Sequence, residues 1–219
     1  MNMIIILNMD CLHVLGEEMK LVYLHGSGLD QTAYADVVKK VADYFKAEVY
    51  TFDAPIKHEK KGFKWFNKVE CNGRRDAVKE DFENSVKFIK DKIKGLDVPN
   101  EEIILFGHSQ GGAMAVAVGL ELKLNKVIAV CADMPYNLSY PKSGQTPIYW
   151  FECGKDGYIN RERQKSYHLL PKARLKFQVL PNSQHLNFGE ELLKQLPTCH
   201  DDFQLTKMLQ RRTLSTNKF

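Results

Sequence analysis

The sequence predicts an α/β fold in which a mainly parallel sheet is covered by helices on both faces. Short apolar runs alternate along the chain with longer segments whose apolar residues recur at helical spacing. This alternation is typical of a parallel sheet, because the crossover between two parallel strands is usually a helix. The 219 residues, of which 44% are hydrophobic, are enough for one substantial core. We therefore expect a single domain over residues 1–209 and a frayed basic tail over residues 210–219.

In the first half of the chain, apolar runs bounded by Gly, Pro or polar residues predict four strands. They are Met3–Leu7, Asp10–Val14, Lys20–Leu24 and Glu48–Phe52. Two segments carry apolar residues three or four positions apart and predict helices at Tyr34–Phe45 and Asp76–Gly95. Residues 56–75 show neither pattern, so we expect a long loop there.

The second half continues the alternation with four further strands. They are Ile103–Phe106, Lys126–Cys131, Pro147–Glu152 and Leu175–Leu180. Gly111–Leu120 is small and apolar throughout, which favours a helix packed closely on a sheet. The remaining predicted helices are Arg161–Leu170 and Phe188–Leu196.

The most informative stretch is Gly107-His108-Ser109-Gln110-Gly111, which matches G-x-S-x-G between a predicted strand and a predicted helix. In this motif a serine is held at the tip of a sharp turn with its Oγ exposed above the sheet. A Cβ at either flanking position would crowd neighbouring backbone, which explains the two glycines. The start of a helix also suits the stabilisation of an oxyanion by backbone N–H groups. We therefore predict that Ser109 is a nucleophile.

A serine nucleophile needs a base, and the base needs a carboxylate that orients it. In folds that carry this motif the three residues follow in the order Ser, Asp or Glu, His, each after a strand. Asp156 follows a predicted strand in a glycine-flanked turn, and His185 follows the last predicted strand. The sequence thus predicts a catalytic triad of Ser109, Asp156 and His185. Asp133, two residues after the end of the predicted strand Lys126–Cys131, is the alternative acid.

The other histidines fit the role of base less well than His185. His168 and His200 lie in predicted helical or trailing segments rather than directly after a strand. We expect His25 to organise its loop through hydrogen bonds, and His108, beside the serine, to point away from it.

With these residues, the chain resembles the phospholipase/carboxylesterase family of α/β-hydrolases, which includes acyl-protein thioesterases and small bacterial carboxylesterases. The resemblance is carried by Leu24-His25-Gly26-Ser27-Gly28, Asp53-Ala54-Pro55, Gly62-Phe63-Lys64-Trp65-Phe66, Gly107-His108-Ser109-Gln110-Gly111-Gly112-Ala113, Asp156 and His185. It implies an α/β-hydrolase fold and, by position, oxyanion-hole N–H groups on Ser27 and Gln110. The sequence departs from the family pattern at His108, where members usually have an aromatic residue, and after Asp156, where a run of Pro and Val is usual.

The predicted loop Lys57–Arg75 is strongly basic. It holds seven Lys or Arg residues and two Glu residues, and its net charge of +5 exceeds the +4 of the whole chain. A solvated surface loop is the simpler interpretation. The alternative is an entrance to the site, in which Trp65 and Phe66 bind an acyl chain while the lysines attract an anionic substrate.

Bulk properties exclude several classes of protein. A net charge of +4 that is spread along the chain does not indicate a nucleic-acid partner. The N-terminal apolar run is short and lacks preceding basic residues, so we expect neither a signal peptide nor a membrane span. The five cysteines are far apart and contain no Cys-x-x-Cys, which predicts reduced thiols in a cytoplasmic protein. No metal-binding spacing is present, so we expect no metal or other cofactor.

These features predict a serine hydrolase that cleaves carboxylic esters or thioesters of a small or acylated substrate through an acyl-serine intermediate. The resemblance implies acyl-protein thioesterase, acyl-CoA thioesterase and lysophospholipase activities as alternatives. Acyl transfer would use the same groups and differs in how water reaches the acyl-enzyme. A non-catalytic binding protein on this fold fits less well, because such proteins usually lack a triad member and this chain has all three.

Overall fold

The computed structural model of the protein describes residues 19–71, 74–157, 165–170 and 175–199. The strands are β1 (Met19–Leu24), β2 (Ala47–Thr51), β3 (Ile56–Lys57), β4 (Phe63–Lys64), β5 (Lys68–Cys71), β6 (Arg74–Ala77), β7 (Ile103–His108), β8 (Lys126–Val130), β9 (Ile148–Cys153) and β10 (Leu175–Leu180). The helices are α1 (Ala35–Phe45), α2 (Lys79–Lys94), α3 (Gln110–Glu121) and α4 (Gly189–Gln195). Short 3-10 helices occupy Asn100–Glu102, Lys165–Leu169 and Leu196–Cys199.

Six strands form a central parallel sheet in the order β10-β9-β8-β7-β1-β2. Its central strand β7 is buried along its whole length, as expected for a parallel strand covered on both faces. The chain steps from β1 to β2 in one direction, and from β7 through β10 in the other. Strand order therefore reverses between β1 and β7, and ligands in open α/β sheets bind at such a crevice.

Helices cover both faces of the sheet, which confirms the predicted α/β fold. On one face, α2 and α3 pack with residues such as Ile89 and Met114 in one apolar core. On the other face, α1 and α4 pack with residues such as Val41 and Leu192 in a second core. In the described parts of the chain, no helix is both long and apolar enough to cross a membrane.

The segment predicted as a long loop contains two small antiparallel hairpins. Strand β3 pairs with β4, and β5 pairs with β6. Because β6 occupies residues 74–77, helix α2 begins at Lys79 rather than at Asp76. These pairs are too short to show an alternating pattern, which explains why the sequence did not indicate them.

Several predicted elements fall wholly or partly outside the described residues. They are the strands Met3–Leu7 and Asp10–Val14, the first part of the helix Arg161–Leu170, and the tail 210–219. The described part of Arg161–Leu170 is a 3-10 helix at Lys165–Leu169.

The cysteines require a correction, because Cys131 and Cys153 form a disulfide with a Cα–Cα distance of 5.6 Å. Cys131 directly follows β8, and Cys153 is the last residue of β9, the neighbouring strand. Separation along the chain concealed this proximity, since the order of strands in the sheet brings the two residues together. The prediction of reduced thiols is therefore wrong for this pair, whereas Cys199 is free and buried. A cytoplasmic location stays a prediction, without the support of the thiols.

Candidate active site

Ser109 lies at a strained turn between β7 and α3. Its backbone φ of 55° and ψ of −118° fall in a region that residues other than glycine rarely adopt. A Cβ on Gly107 would lie 2.3 Å from the carbonyl oxygen of Gly111, and one on Gly111 would lie 2.1 Å from that of Leu24. Both contacts are impossible for real atoms, so the prediction that each flanking position requires glycine is confirmed.

The side chains of Ser109, His185 and Asp156 form one hydrogen-bonded series. Nε2 of His185 lies 2.9 Å from Oγ of Ser109, and Nδ1 of His185 lies 2.7 Å from Oδ2 of Asp156. Because a carboxylate accepts, Nδ1 carries the hydrogen, and Nε2 then offers its lone pair to the serine hydroxyl. This arrangement is the one that a general base for a serine needs.

Two loops meet where His185 contacts Asp156. The N–H of Lys155, next to Asp156, donates to the carbonyl oxygen of Ser183 over 2.9 Å. The Asp156 side chain has no exposed surface, and that of His185 is 8% exposed. Low exposure strengthens their interaction, because less water screens it. The rival acid Asp133 lines the nearby cavity, and the carboxylate bonded to the imidazole is that of Asp156.

A cavity of about 340 Å³ opens beside Ser109. Ser27 and Gln110, the residues expected to supply oxyanion-hole N–H groups, both line it. Helix α3 begins at Gln110, and the first N–H groups of a helix have no partner within the helix. The structure thus brings Ser27 and Gln110 to the same cavity as Ser109 and His185.

The side chain of Gln110 has a structural role that the sequence did not reveal. Its Oε1 accepts from the N–H of Trp65 over 2.7 Å, and its Nε2 donates to the carbonyl oxygen of Phe66 over 2.8 Å. The residue after Ser109 therefore connects the segment 65–66 to the turn at Ser109. Both bonds are buried, and losing either would leave an unpaired polar group.

Trp65 and Phe66, paired in the sequence analysis as acyl-binding residues, are placed differently. Phe66 lines the cavity. The Trp65 side chain is fully buried, and its indole N–H donates to the carbonyl oxygen of His25 over 2.8 Å. Its ring packs against those of His25 and Phe52. Trp65 is therefore a core residue, and it is not among the residues that line the cavity. Leu186, which is 51% exposed, lines the cavity instead. The sequence analysis did not identify it, although its position directly after His185 could have indicated that it lies at the site.

The remaining histidines have other contacts. His25 Nδ1 lies 2.8 Å from the carbonyl oxygen of Gly26, and its Nε2 accepts from the N–H of Ala54 over 3.0 Å, so its predicted loop-organising role is confirmed. Burial lowers the pKa of His25 and favours the neutral ring that these two bonds require. His168 contacts the ring of Tyr167, and His200 lies outside the described residues.

The basic loop is less uniform than its composition indicates. Lys57, Lys60 and Lys61 are exposed, whereas Lys64 is buried and forms an ion pair with Glu59. Lys68 lines the cavity together with Asp76 and Asp133. The side chains of Arg74 and Arg75 are outside the described part of the structure.

Two groups of side chains in the described residues are close enough to share a metal ion. They are His108, Cys131 and His185, and Cys131, Cys153 and Asp156. Both groups include Cys131, whose sulfur is in the disulfide and therefore does not offer a thiolate.

The comparisons of this chain with known proteins agree with one another. Residues 16–196 match the family described as phospholipase/carboxylesterase. Acyl-protein thioesterase 1 of Debaryomyces hansenii is 28% identical over 138 residues, which cover 58% of this chain and 60% of that protein. The chain thus spans only about three fifths of the length of this relative.

Solved structures share the fold at low sequence identity. The structure of SOBER1 from Arabidopsis thaliana has a TM-score of 0.66 and 19% identity, and the match covers 83% of this chain and 96% of that one. A carboxylesterase from Bacillus cereus has a TM-score of 0.61 and 13% identity, over 81% of this chain and 88% of that one.

Proposed function

Because this chain belongs to the phospholipase/carboxylesterase family, we propose that it is a serine hydrolase that cleaves carboxylic esters or thioesters. The observation that carries the proposal is the continuous series of hydrogen bonds from Ser109 through His185 to Asp156, with distances of 2.9 Å and 2.7 Å. The three residues come from loops far apart in sequence, so this geometry is specific. We also propose that residues 1–209 form a single domain.

In the first half of the reaction, Ser109 forms a covalent bond to the substrate. Nε2 of His185 takes the hydroxyl proton as Oγ attacks the carbonyl carbon, and Asp156 stabilises the imidazolium that results. The N–H groups of Ser27 and Gln110 donate to the oxyanion of the tetrahedral intermediate. His185 then gives the proton to the leaving alcohol or thiol, and an acyl-serine remains.

In the second half, water replaces the leaving group. His185 accepts a proton from water as the water oxygen attacks the acyl carbon, and a second oxyanion forms at the same N–H groups. The Ser109–acyl bond breaks, Ser109 regains a proton from His185, and the carboxylic acid leaves. Every proton lost at one step is returned at a later one, so no cofactor takes part in these steps.

The cavity supports a small acyl group as the substrate portion next to Ser109. Its volume of about 340 Å³ is at the lower end of the range of roughly 300–1,000 Å³ for ligand pockets. Phe66, Leu29 and Leu186 supply apolar surface for the acyl group. Lys68 lines the cavity together with the carboxylates of Asp76 and Asp133. The exposed Lys60 and Lys61 would attract an anionic leaving group from outside.

Thioester cleavage on an acylated protein is a second candidate, supported by the match to an acyl-protein thioesterase. Such a substrate would bring its own surface to the cavity mouth, where Leu186 is half exposed. The same serine would act on either bond, so ester and thioester substrates share one mechanism.

A series of p-nitrophenyl esters tests this function. With acetate, we expect a burst of one p-nitrophenolate per chain followed by slower turnover, because the acyl-serine forms before it is hydrolysed. Across the series acetate, butyrate, octanoate and palmitate, we expect kcat/KM to be highest for the short esters. If neither the members of this series nor the matching thioesters are turned over, the proposed hydrolase activity is excluded.

A further inference from the structure

His108 lines the same cavity as Ser109 and His185, and the centroid of its ring lies 5.0 Å from that of the His185 ring. Its side chain is 1% exposed. The imidazole stacks on the ring of Phe188 at 4.9 Å and 19°, and meets the ring of Tyr34 edge-on at 5.0 Å. These contacts bury the ring against the helix α4 side of the molecule, next to the loop that carries His185.

The hydrogen bond made by His108 is directed at the backbone of His185. Nε2 of His108 lies 2.8 Å from the carbonyl oxygen of His185. A carbonyl only accepts, so Nε2 carries the hydrogen and Nδ1 is unprotonated in the neutral ring. Burial, together with the neighbouring His185, lowers the pKa of His108 to about 3. The ring is therefore neutral at the pH values where a serine hydrolase of this kind works.

We propose that His108 is a positioning residue for His185, and that its Nε2–H holds the backbone of His185 where the imidazole reaches both Ser109 and Asp156. This inference rests on the proposed function, since positioning matters only if His185 is the base. It assigns a role to the residue in the motif that departs from the family pattern. An aromatic hydrocarbon ring could keep the stacking on Phe188, but it has no N–H to donate.

The other ring nitrogen explains why the neutral state fits this position. Nδ1 of His108 has no hydrogen-bond partner among the described residues. It faces Gly26, where an added Cβ would lie 2.9 Å from it. A proton on Nδ1 would thus be buried against backbone without an acceptor, beside a His185 that itself becomes positive during the reaction. The neutral ring of His108 therefore contacts two segments of the site. One is Gly26, next to the expected oxyanion-hole residue Ser27, and the other is the backbone of His185.

Three substitutions separate positioning from simple packing. His108→Phe keeps a ring and removes the donor. His108→Gln places an amide nitrogen at the same number of bonds from Cβ as Nε2, whereas His108→Asn places it at the distance of Nδ1. Gln and Asn both bury an amide, so their Tm values should fall alike. We expect kcat to drop about tenfold in the Phe and Asn variants, and to stay within about threefold of wild type in the Gln variant, with KM within about twofold throughout.

The outcomes distinguish this inference from the proposed function. If wild type is active and the Phe variant has the same kcat, or if Gln is as impaired as Asn, His108 does not position His185. NMR of protein labelled with ¹⁵N at its histidine rings gives a reading that needs no turnover. We expect a His108 ring protonated at Nε2 alone from pH 5 to 9, and a downfield His185 Nδ1 proton that weakens in the Phe variant. A His108 that titrates in this range, or an unchanged downfield proton, would overturn the inference.

Discussion

Oδ2 of Asp156 lies 2.7 Å from Nδ1 of His185, and the carboxylate has no exposed surface. Replacing it with an amide would place an N–H donor or a weaker acceptor against Nδ1 and favour the wrong tautomer of the imidazole. We expect Asp156→Asn to lower kcat by about 10³- to 10⁴-fold, measured with p-nitrophenyl acetate.

Asp133→Asn is the matched control for Asp156→Asn, because Asp133 carries the same group and lines the same cavity. We expect less than about a tenfold change in kcat, since the carboxylate bonded to Nδ1 of His185 is that of Asp156. A larger loss in Asp133→Asn than in Asp156→Asn would assign the catalytic acid to the loop after β8.

The disulfide between Cys131 and Cys153 gives a prediction about stability. It closes a loop with a sequence separation of 22 residues, and a cross-link of this length stabilises a fold by about 3 kcal/mol through the unfolded chain. We expect reduction with a dithiol to lower the free energy of unfolding in urea by that order. Peptide mapping after alkylation in urea without reductant should find Cys199 modified, and Cys131 and Cys153 unmodified. Modification of Cys131 and Cys153 under those conditions would show that they are thiols.

The buried His108 should make folding sensitive to acid. Its pKa is lowered to about 3 in the folded protein, whereas an imidazole in an unfolded chain titrates near about 6.5. Between these values the unfolded chain binds a proton that the folded protein does not, so stability is lost as the pH falls. We expect the free energy of unfolding of wild type to fall more steeply than that of His108→Phe from pH 6.5 downwards, by up to about 1.4 kcal/mol per pH unit. Parallel urea-denaturation series for the two proteins would contradict a buried neutral ring.

The exposed lysines of the basic loop give a prediction about salt. The Debye length shrinks from about 10 Å at 0.1 M to about 3 Å at 1 M, so attraction of an anionic substrate by Lys60 and Lys61 should largely disappear over this range. We expect kcat/KM for an acyl-CoA to fall with salt, and the double change Lys60→Gln and Lys61→Gln to flatten that dependence. Lys64 is unsuitable for this test, because it is buried in its pair with Glu59.

Two controls isolate the effect of these lysines. p-Nitrophenyl acetate is neutral, so its kcat/KM should not respond to the double change. The changes Lys39→Gln and Lys40→Gln remove the same charge from exposed positions in helix α1. Equal salt profiles for acyl-CoA in the two double variants would make the basic loop an ordinary solvated surface.

The sequence allowed prediction wherever a local pattern determines the local structure. The sharp turn at Ser109 was predicted from two glycines between an apolar run and a small-residue helix. A Cβ at Gly107 or Gly111 would collide with backbone atoms, which is why the turn requires glycine at both positions. The central sheet followed from the alternation of strands and helices. The meeting of Asp156 and His185 could be anticipated only because both follow predicted strands, and the carboxyl ends of parallel strands share one edge of a sheet.

Features that depend on how distant segments of the chain pack together could not be predicted in the same way. Cys131 follows β8 and Cys153 ends β9, but only the sheet order shows that these strands are neighbours. Trp65 and Phe66 are adjacent and similar in sequence, yet one lies in the core and the other in the cavity wall. The bond from His108 to the His185 backbone likewise joins distant segments, and no spacing rule reveals it.

The most direct test of the central claim, that Ser109 is the nucleophile, is labelling with a fluorophosphonate followed by peptide mapping. The probe bonds to a serine whose hydroxyl is activated by a neighbouring base, as the 2.9 Å contact between Ser109 Oγ and His185 Nε2 indicates. We predict one label per wild-type chain, located on Ser109, and none on Ser109→Ala with an unchanged Tm. Labelling that persists in Ser109→Ala, or that maps to another serine in wild type, would contradict the claim.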